Sequence, residues 1–298
     1  MKGRVIVIGG PTATGKTALS VSVAKALGGE IVSADSMQIY RRMDIGTAKA
    51  SIEEQGGIPH YMLDVVEPSE PYSVAEYQRD ASEHIDDILS RGKTPIIVGG
   101  TGLYINSVLY PMTFKQYDPA LRDEIADMYR VHGNDYMYAL LSEKDPTAAS
   151  KLFPNDVKRV GRALELALSG EAHNRDDLAK EPLYDYRMYV LSGDRQQIYE
   201  RINRRVDRML ADGLVDEVKG LLEEGVPSSA QSFQAIAYKE TAEYLRGERS
   251  YTDTVELIKK RSRNYAKRQL TWFRQYPNAV WLDYRDVDAN IQRVIDND

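Results

Sequence analysis

Glycine, lysine and threonine residues near the N-terminus have the spacing of a phosphate-binding loop. Gly10, Gly15, Lys16 and Thr17 fit the pattern G-x-x-x-x-G-K-[ST]. The glycines allow backbone N–H groups to close around phosphate oxygens, and Lys16 can reach a terminal phosphate. The Thr17 hydroxyl can ligate Mg²⁺. Together these residue types predict a site for a phosphorylated ligand.

The elements that flank this loop are those that such a site requires. The apolar run at residues 5–8 predicts a buried strand, and the apolar residues of 18–27 have helical spacing. A helix that begins at the loop adds positive potential, which favours a bound anion. A chance glycine-rich turn would lack this context, so we interpret the segment as the core of a phosphate-binding enzyme.

A second predicted strand, at residues 30–35, ends in an acid. Asp35 therefore lies at the edge of the predicted sheet that also carries the phosphate-binding loop. Its position alone is compatible with a metal ligand, a general base or a helix N-cap. These three interpretations stay open at the level of the residues.

A further predicted strand, at residues 95–98, is followed by Gly99, Gly100, Thr101 and Gly102. Taken alone, these residues are typical of a tight turn. No Asp or Glu follows the strand, so the acid that usually holds magnesium in an NTPase is missing at the most obvious place. This absence weakens an ATPase interpretation.

The order of the elements predicts the fold class. Strands predicted at 61–66, 186–191 and 279–283 alternate with helices predicted at 73–90 and 196–224, the latter interrupted near Gly213. Such alternation predicts a parallel sheet with ligands at the carboxyl ends of the strands.

The middle of the chain has a different character. From residue 118 to about residue 178 the pattern is helical, with helix starts at Asp118, at Asp145 and after Pro154. We therefore expect an α/β fold with a P-loop-type parallel sheet core flanked by helices, formed by 1–112 and 185–298, and an all-helical insertion domain at 113–184. The acidic segment after Asp286 is expected to be a solvated chain end.

Composition excludes several classes of site. The 298 residues contain no cysteine, which excludes disulfides, cysteine zinc sites and thiol nucleophiles. The four histidines, at positions 60, 84, 132 and 173, are scattered, so we expect no histidine metal site. No apolar run approaches the length of a membrane span, and the N-terminus leads directly into a strand. These features favour a cytoplasmic protein, and nothing in them demands more than a monomer.

Positive charge is concentrated in two places although the net charge is −6. Residues 259–274 contain seven Lys or Arg and no acid, and Arg201, Arg204, Arg205 and Arg208 form a second cluster. On the helix predicted at 255–276, Lys259, Arg263 and Lys267 recur every four residues and form one stripe. A solvated surface would explain such a stripe, but the absence of acids beside a phosphate-binding core favours RNA or diphosphate as its partner.

Seven segments, taken in chain order, resemble the tRNA dimethylallyltransferases. They are GPTATGKT at 10–17, DSMQIY at 35–40, DIGTAK at 44–49, GGTGLY at 99–104, RVGRALE at 159–165, QAIAYKE at 234–240 and YAKRQLTWFR at 265–274. Three positions depart from the family pattern: Thr14 replaces a common serine, Gly161 interrupts a helix, and Ala237 replaces the usual glycine. The chain lacks a C-terminal zinc-finger extension, and in this it resembles the bacterial members of the family.

The resemblance implies a prenyl transfer. The loop Gly10, Pro11, Thr12, Ala13, Thr14, Gly15, Lys16 and Thr17 would bind the diphosphate of dimethylallyl diphosphate. The five-carbon group would pass to N6 of the adenosine 3′-adjacent to the anticodon of tRNA, and diphosphate would be released. Asp35 would be the general base, Thr101 would hydrogen-bond the amine or the leaving oxygen, and Lys16 and Mg²⁺ held by Thr17 would stabilise the leaving group.

The resemblance also implies where RNA binds. The target adenosine is stacked in the anticodon arm and must be turned out of the stack before its N6 can reach a buried site on the enzyme. The implied tRNA-binding residues are Asp35, Ser36, Met37, Gln38, Thr101, Arg122, Arg159, Val160, Gly161, Arg162, Ala163, Arg263 and Lys267.

Three other functions compete with this hypothesis. An adenylate prenyltransferase acting on free nucleotides would not need the helical insertion or the basic stripe. A P-loop small-molecule kinase or ATPase should bind ATP tightly and turn it over. A non-enzymatic RNA-binding module would leave Lys16, Asp35 and Thr101 without a purpose.

Overall fold

The computed structural model describes residues 2–114, 118–170 and 181–297. By its internal contacts the chain divides into two units, one formed by Met1–Pro111 with Glu181–Asp298 and the other by Met112–Lys180. The predicted helical residues 171–178 and His173 lie outside the described residues.

The first unit is built on a parallel sheet. Its described strands are β1 (Arg4–Gly9), β2 (Glu30–Ser33), β3 (His60–Tyr61), β4 (Pro95–Gly99), β5 (Asp185–Ser192) and β6 (Val280–Asp283). They pair in the order β3-β2-β4-β1-β5-β6, and every pair is parallel. Residues 5–8 of β1 are fully buried, as expected for a strand covered by helices on both faces. The predicted α/β core is confirmed.

Helices connect these strands and form the second unit. In chain order they are α1 (Lys16–Leu27), α2 (Ile52–Gln55), α3 (Val74–Ser90), α4 (Gly102–Leu109), α5 (Pro119–Lys144), α6 (Pro146–Ala149), α7 (Val157–Leu168), α8 (Arg195–Ala211), α9 (Leu214–Glu223), α10 (Tyr238–Leu245), α11 (Tyr251–Phe273) and α12 (Val287–Ile295). Among the described residues no helix is long and apolar enough to cross a membrane.

Local sequence signals explain where several helices begin and end. At α3 the Ser73 hydroxyl accepts from the Glu76 amide at 3.2 Å, and the Glu76 carboxylate accepts from the Ser73 amide at 2.7 Å. Gly213, with φ of 102°, separates α8 from α9 at the predicted interruption. Such a left-handed backbone favours glycine because it has no Cβ.

The described part of the second unit, residues 112–114 and 118–170, contains the helices α5, α6 and α7 joined by turns. Asp118 and Asp145 begin α5 and α6 by accepting from the amides of Ala120 and Ala148, both at 2.9 Å. Gly133, with φ of 76°, interrupts α5. The core of this unit is formed by buried apolar side chains of α5, α6 and α7, including Ile125, Met137, Leu141, Val160 and Leu164.

Two expectations from the sequence were wrong in extent. The strand predicted at 61–66 ends at Tyr61, because Met62 and Asp64 have positive φ values of 63° and 53°. The segment after Asp286 forms helix α12 instead of a solvated end. Its buried Val294 and partly buried Ile291 pack against the core cluster that includes α1, while its acids face outward.

The first residue of β2, Glu30, has a buried carboxylate. Glu30 is only 2% exposed and accepts hydrogen bonds from Arg91 at 2.7 and 2.6 Å, Lys93 at 2.6 Å and Tyr61 at 2.8 Å. The hydrogen bond from Arg91 is the largest cause that lowers the Glu30 pKa to about 2. The charged form therefore favours folding at neutral pH.

We expect this network to contribute to acid sensitivity. The Glu30 pKa lies below its ordinary value of 4.5, so the contribution is complete above that value and is lost as the pH falls toward 2. Between about pH 5 and pH 2.5, the wild type should lose about 2 kcal/mol more free energy of unfolding than Glu30→Gln. Urea unfolding at several pH values measures this difference.

Asp87→Asn is the matched control, because Asp87 also pairs with Arg91, at 2.9 Å, but is exposed. It should follow the wild-type pH dependence, since exposed pairs contribute little. Parallel curves for wild type and Glu30→Gln would contradict the assignment.

Candidate active site

The phosphate-binding loop lies between β1 and α1, as predicted. Gly10 and Gly15 have positive φ values of 137° and 88°. A Cβ on Gly10 would approach the Leu191 carbonyl oxygen to 2.6 Å, so this position also needs glycine for space. The Lys16 ammonium donates to the Pro11 carbonyl at 2.8 Å and so lies across the loop.

Glutamine 269 joins the loop to the neighbouring strand end. Its side-chain oxygen accepts from the Thr12 amide at 3.0 Å, and its Nε2 donates to the Gly100 carbonyl at 3.2 Å. A Cβ on Gly100 would lie 1.9 Å from that Nε2, and one on Gly99 would lie 2.1 Å from the Ala34 carbonyl oxygen. The glycines after β4 therefore permit close approach, and neither has a positive φ.

Asp35 and Thr101 lie next to each other at the carboxyl ends of β2 and β4. The Thr101 hydroxyl accepts from the Ser36 amide at 3.1 Å, and the Thr101 amide donates to the Ala34 carbonyl at 3.1 Å. One oxygen of Asp35 accepts from the Met37 amide at 3.0 Å. Asp35 thus stabilises its own turn, and it is also one of the residues that line a cavity.

That cavity, of about 360 Å³, joins the phosphate-binding loop to the segment that follows β2. Of the sequence-predicted residues it is lined by Thr12, Ala13, Gly15, Lys16, Thr17, Asp35, Ser36, Met37 and Gln38. Helix α8 contributes the apolar residues Ile202, Val206 and Met209 to the lining, and they recur at helical spacing on one face. The cavity therefore combines an anion-binding side with an apolar wall.

Arg205 is a cavity residue that sequence reasoning named only as part of a cluster. It donates to the Thr47 carbonyl at 3.4 Å and lines the cavity with Lys16. Burial lowers the pKa of Arg205, and Asp35 and Glu54 oppose this shift. In the structure Arg205 lines the cavity together with Ile202, Val206 and Met209 of the same helix. Helical periodicity marks those three apolar positions in the sequence but does not single out Arg205.

Lys16 is affected by this second cation. The Lys16 pKa is lowered to about 8, chiefly by burial and secondly by the charge of Arg205, while Asp35 acts in the opposite sense. Two cations that face one enclosed space repel each other and favour an anion between them. The electrostatics of the cavity therefore suit a ligand with more than one negative charge.

Helix α11 contributes Tyr265, Arg268 and Gln269 to the cavity. Burial raises the pKa of Tyr265 to about 12, and its hydrogen bonds to Thr101 and Gln269 oppose that shift. Arg268 lies 5.6 Å from the centre of the Tyr265 ring. These residues are near the predicted basic stripe in sequence but lie on a different flank of the helix.

The predicted stripe itself divides into two kinds of residue. Lys259 pairs with Asp207 at 2.7 Å, and Arg263 donates to Asn203 at 2.6 Å, so both tie α11 to α8. Lys267 is exposed. Part of the charge that the sequence presents as a surface is therefore used in helix packing.

The remaining predicted RNA-binding residues lie in the second unit. Val160 and Ala163 are fully buried in its core and Gly161 is buried with them, so none of these three presents a side chain to a ligand. Arg159 pairs with Asp156 at 3.2 Å and Arg162 pairs with Glu165 at 2.6 Å. Arg122 is on the exposed side of α5.

The departures from the family pattern have structural explanations. The Thr14 hydroxyl donates to the Pro11 carbonyl at 2.8 Å, a bond that serine could also make. Ala237 has φ of 81°, which explains why glycine is usual there. Its amide donates to the Glu240 carboxylate at 2.7 Å, and Glu240 pairs with Arg261. Around Gly161 an added Cβ would meet Tyr129 at 3.5 Å, an ordinary contact.

The donor set of the cavity fits magnesium held jointly with a substrate. Within residues 2–114, 118–170 and 181–297 there is no group of three or more acids or histidines that could hold a metal. Thr17, whose hydroxyl is a hard oxygen donor, lines this cavity. Mg²⁺ takes few protein ligands when it binds together with substrate phosphates, so one hydroxyl ligand is compatible with it.

The fold and the cavity define a class of protein. A parallel sheet whose first strand leads into a phosphate-binding loop, beside two enclosed cations and an apolar wall, is suited to a phosphorylated ligand with an apolar group. After the neighbouring strand β4, where NTPases usually carry an acid, this chain has glycines that admit Gln269. The site is that of a P-loop-type α/β transferase.

Comparison with known proteins identifies the family. The family model "IPP transferase" matches residues 38–276, and "Isopentenyl transferase" matches residues 3–67. A relative from Caldanaerobacter subterraneus subsp. tengcongensis named tRNA dimethylallyltransferase is 50% identical over 95% of this chain and 93% of its own length. The chain belongs to the IPP transferase family, as the seven sequence segments predicted.

Solved structures agree with this assignment. The full-length tRNA isopentenylpyrophosphate transferase from Bacillus halodurans is 42% identical, with a TM-score of 0.75, over 99% of this chain and 95% of that chain. A eukaryotic dimethylallyltransferase whose structures describe action on tRNA is 29% identical, with a TM-score of 0.81, over 98% of this chain and 78% of that chain.

The lowered pKa of Lys16 predicts how diphosphate binding depends on pH. A bound diphosphate places negative charge beside the ammonium and raises the Lys16 pKa above about 8. Binding at about pH 8.5 should therefore take up more protons than binding at about pH 7. Calorimetric titration with inorganic diphosphate, in buffers of different ionisation enthalpy, measures this uptake.

Lys16→Met provides the control, because it removes the ammonium while diphosphate keeps its own titration. The difference in proton uptake between the two proteins is the contribution of Lys16. If uptake were the same in both, the lowered pKa would be contradicted.

Proposed function

We propose that this protein transfers the dimethylallyl group of dimethylallyl diphosphate to N6 of the adenosine 3′-adjacent to the anticodon in tRNA. The observation that carries the proposal is the single cavity shared by Lys16, Arg205, Asp35 and an apolar wall on α8. Family membership supports the reaction class, because the relatives are named for dimethylallyl transfer to tRNA.

The leaving group is stabilised at the phosphate-binding loop. As the bond between the allylic carbon and oxygen breaks, negative charge grows on diphosphate beside Lys16, Arg205 and the loop N–H groups. Mg²⁺ held by Thr17 and the diphosphate oxygens would neutralise further charge when bound. The repulsion between the two cations is largest without an anion and falls as diphosphate forms.

The acceptor amine is activated at the end of β2. The N6 nitrogen forms a bond to the allylic carbon, and Asp35 takes the proton that the amine loses. Thr101 accepts from the Ser36 amide and so fixes the turn that carries Asp35. Ser36, Met37 and Gln38 line the cavity beside this carboxylate, where they can hold the adenine.

The apolar wall protects the reacting carbon. Ile202, Val206 and Met209 of α8 offer the five-carbon group a surface without hydrogen-bonding atoms. Water excluded from that surface cannot capture the allylic cation that develops as diphosphate leaves. This arrangement favours transfer to the amine over hydrolysis.

RNA recognition extends beyond the cavity in this proposal. We assign backbone contacts in the anticodon arm to Arg122, Arg159 and Arg162 of the helical unit and to Lys267 of α11. Val160, Gly161 and Ala163 would act by shaping the helix that presents these arginines. We propose a monomer as the active form.

A transfer assay with radiolabelled dimethylallyl diphosphate tests the reaction. Unmodified tRNA, AMP and no acceptor are compared in the presence of Mg²⁺. We expect label in tRNA alone, at the adenosine 3′ of the anticodon. Label in AMP would favour an adenylate prenyltransferase, and ATP turnover without transfer would favour a small-molecule kinase.

Two substitutions separate the proposed functions of Asp35 and Lys16. Asp35→Asn keeps an oxygen for the Met37 amide but cannot take a proton, so kcat should fall by about 10²- to 10⁴-fold with little change in diphosphate affinity. Lys16→Ala should weaken diphosphate binding and catalysis together. Diphosphate titration and single-turnover transfer measure the two effects. Equal losses of both properties in Asp35→Asn would overturn the general-base assignment.

A further inference from the structure

A carboxylate on α9 holds a turn that is far from it in sequence. Glu217 Oε2 accepts from the Asp44 amide at 2.9 Å and from the Ile45 amide at 2.8 Å, and its Oε1 accepts from the Gly46 amide at 3.2 Å. The hydroxyl of Tyr238 donates to the same Oε1. Four donors thus converge on one carboxyl group.

Turn 44–48 is stabilised by hydrogen bonds within it and by close packing against Tyr238. Within it, the Lys49 amide donates to the Asp44 carbonyl and the Ala48 amide to the Ile45 carbonyl, both at 3.0 Å. A Cβ on Gly46 would lie 2.4 Å from the Tyr238 ring. Glu217 therefore acts on this helical turn as a capping carboxylate does on a helix, but from another element.

The far side of the same turn faces the cavity. Gly46, Thr47 and Ala48 all line it. The carbonyls of Thr47 and Ala48 each accept from Gln38 Nε2 at 3.3 Å, and Gln38 Oε1 accepts from the Ser33 hydroxyl at 3.2 Å. Both ends of the Gln38 amide are therefore fixed, and one end is fixed by the turn.

The turn also reaches the diphosphate side of the cavity. The Thr47 carbonyl accepts from Arg205 at 3.4 Å, a longer contact than those to Glu217. Displacement of the turn would thus disturb Gln38 through two bonds and Arg205 through one. The residues of the phosphate-binding loop do not take part in these contacts, so the turn acts on the diphosphate side through the long contact with Arg205.

We propose that Glu217 is a positioning residue for acceptor binding, which it controls by holding turn 44–48 and thereby orienting Gln38. The inference rests on the proposed transfer to tRNA and deepens it. A carboxylate suits the position because both of its oxygens accept only, which matches the three amide donors. A glutamine at position 217 would place its NH₂ group, a donor, against the Gly46 amide, which is also a donor. The Tyr238 hydroxyl could rotate and accept from that NH₂ group.

The test compares Glu217→Ala and Glu217→Gln with Asp216→Asn. Asp216 is the adjacent residue of α9 and is exposed, so its variant removes the same charge without touching the turn. We expect Glu217→Ala to raise KM for tRNA about tenfold, because hydrogen bonds to a charged group are lost. Glu217→Gln should give a smaller rise, and Asp216→Asn should match wild type.

Two further readouts separate positioning from general destabilisation. The affinity for inorganic diphosphate should change less than about threefold in Glu217→Ala, because the turn acts on the diphosphate side through one long hydrogen bond, from Arg205 to the Thr47 carbonyl. In a Gln38→Ala background, Glu217→Ala should raise KM for tRNA far less than it does alone. The reason is that Glu217 is proposed to act by orienting Gln38, which that background lacks. Thermal unfolding reports the folded fraction of each variant.

The possible results are distinct. A wild-type KM for tRNA in Glu217→Ala, or effects of Glu217→Ala and Gln38→Ala that multiply independently, would overturn the positioning assignment. A fall in kcat alone, in proportion to the folded fraction, would also overturn it. Failure of the wild-type protein to modify tRNA would instead refute the proposed function.

Discussion

The repulsion between Lys16 and Arg205 is the constraint on which the rest of the site depends. Burial and mutual charge lower the pKa of Lys16, and burial lowers that of Arg205, so both cations are held where they are less stable than in water. The charge of Asp35 opposes both shifts. A diphosphate relieves the repulsion, which makes binding of the anion the step that completes the electrostatics of the site.

Lys16 is positioned by the sheet, whereas Arg205 is positioned by helix packing. Lys16 follows β1, and Asp35 follows β2, with β4 lying between these strands in the sheet. Arg205 is on α8, which is joined to α11 through Lys259 with Asp207 and through Arg263 with Asn203. The charge-bearing stripe of α11 thus fixes α8, and through it the position of Arg205.

The sequence predicts those site residues that come directly after a strand. Parallel strands place their carboxyl ends at one edge, so the loop, Asp35 and Thr101 could be grouped by position along the chain. The inward flank of α8 could not be chosen in this way, because periodicity identifies an apolar face without showing what lies beside it. Gln269 and Glu217 depend on partners far away in sequence, and such contacts leave no local pattern.

The errors in the predicted fold have the same origin. Acidic residues after Asp286 suggested a solvated end, although Ile291 and Val294 have the spacing of a packed helix. The strand predicted at 61–66 has suitable residue types, but Met62 and Asp64 adopt left-handed backbone conformations. In both places tertiary contacts outweigh a weak local preference.

Ala237, which lines the cavity, adopts a backbone conformation that a residue with a Cβ disfavours. A left-handed backbone at a residue with a Cβ costs about 1–2 kcal/mol, and residues 234–237 all line the cavity. The strained amide is held by Glu240, which is itself buried and paired with Arg261 of α11. Since α11 also supplies Gln269 to the phosphate-binding loop, one helix fixes both the strained wall and the anion-binding side. The shape of the cavity is therefore set by contacts between distant elements, and the backbone of the wall conforms to it.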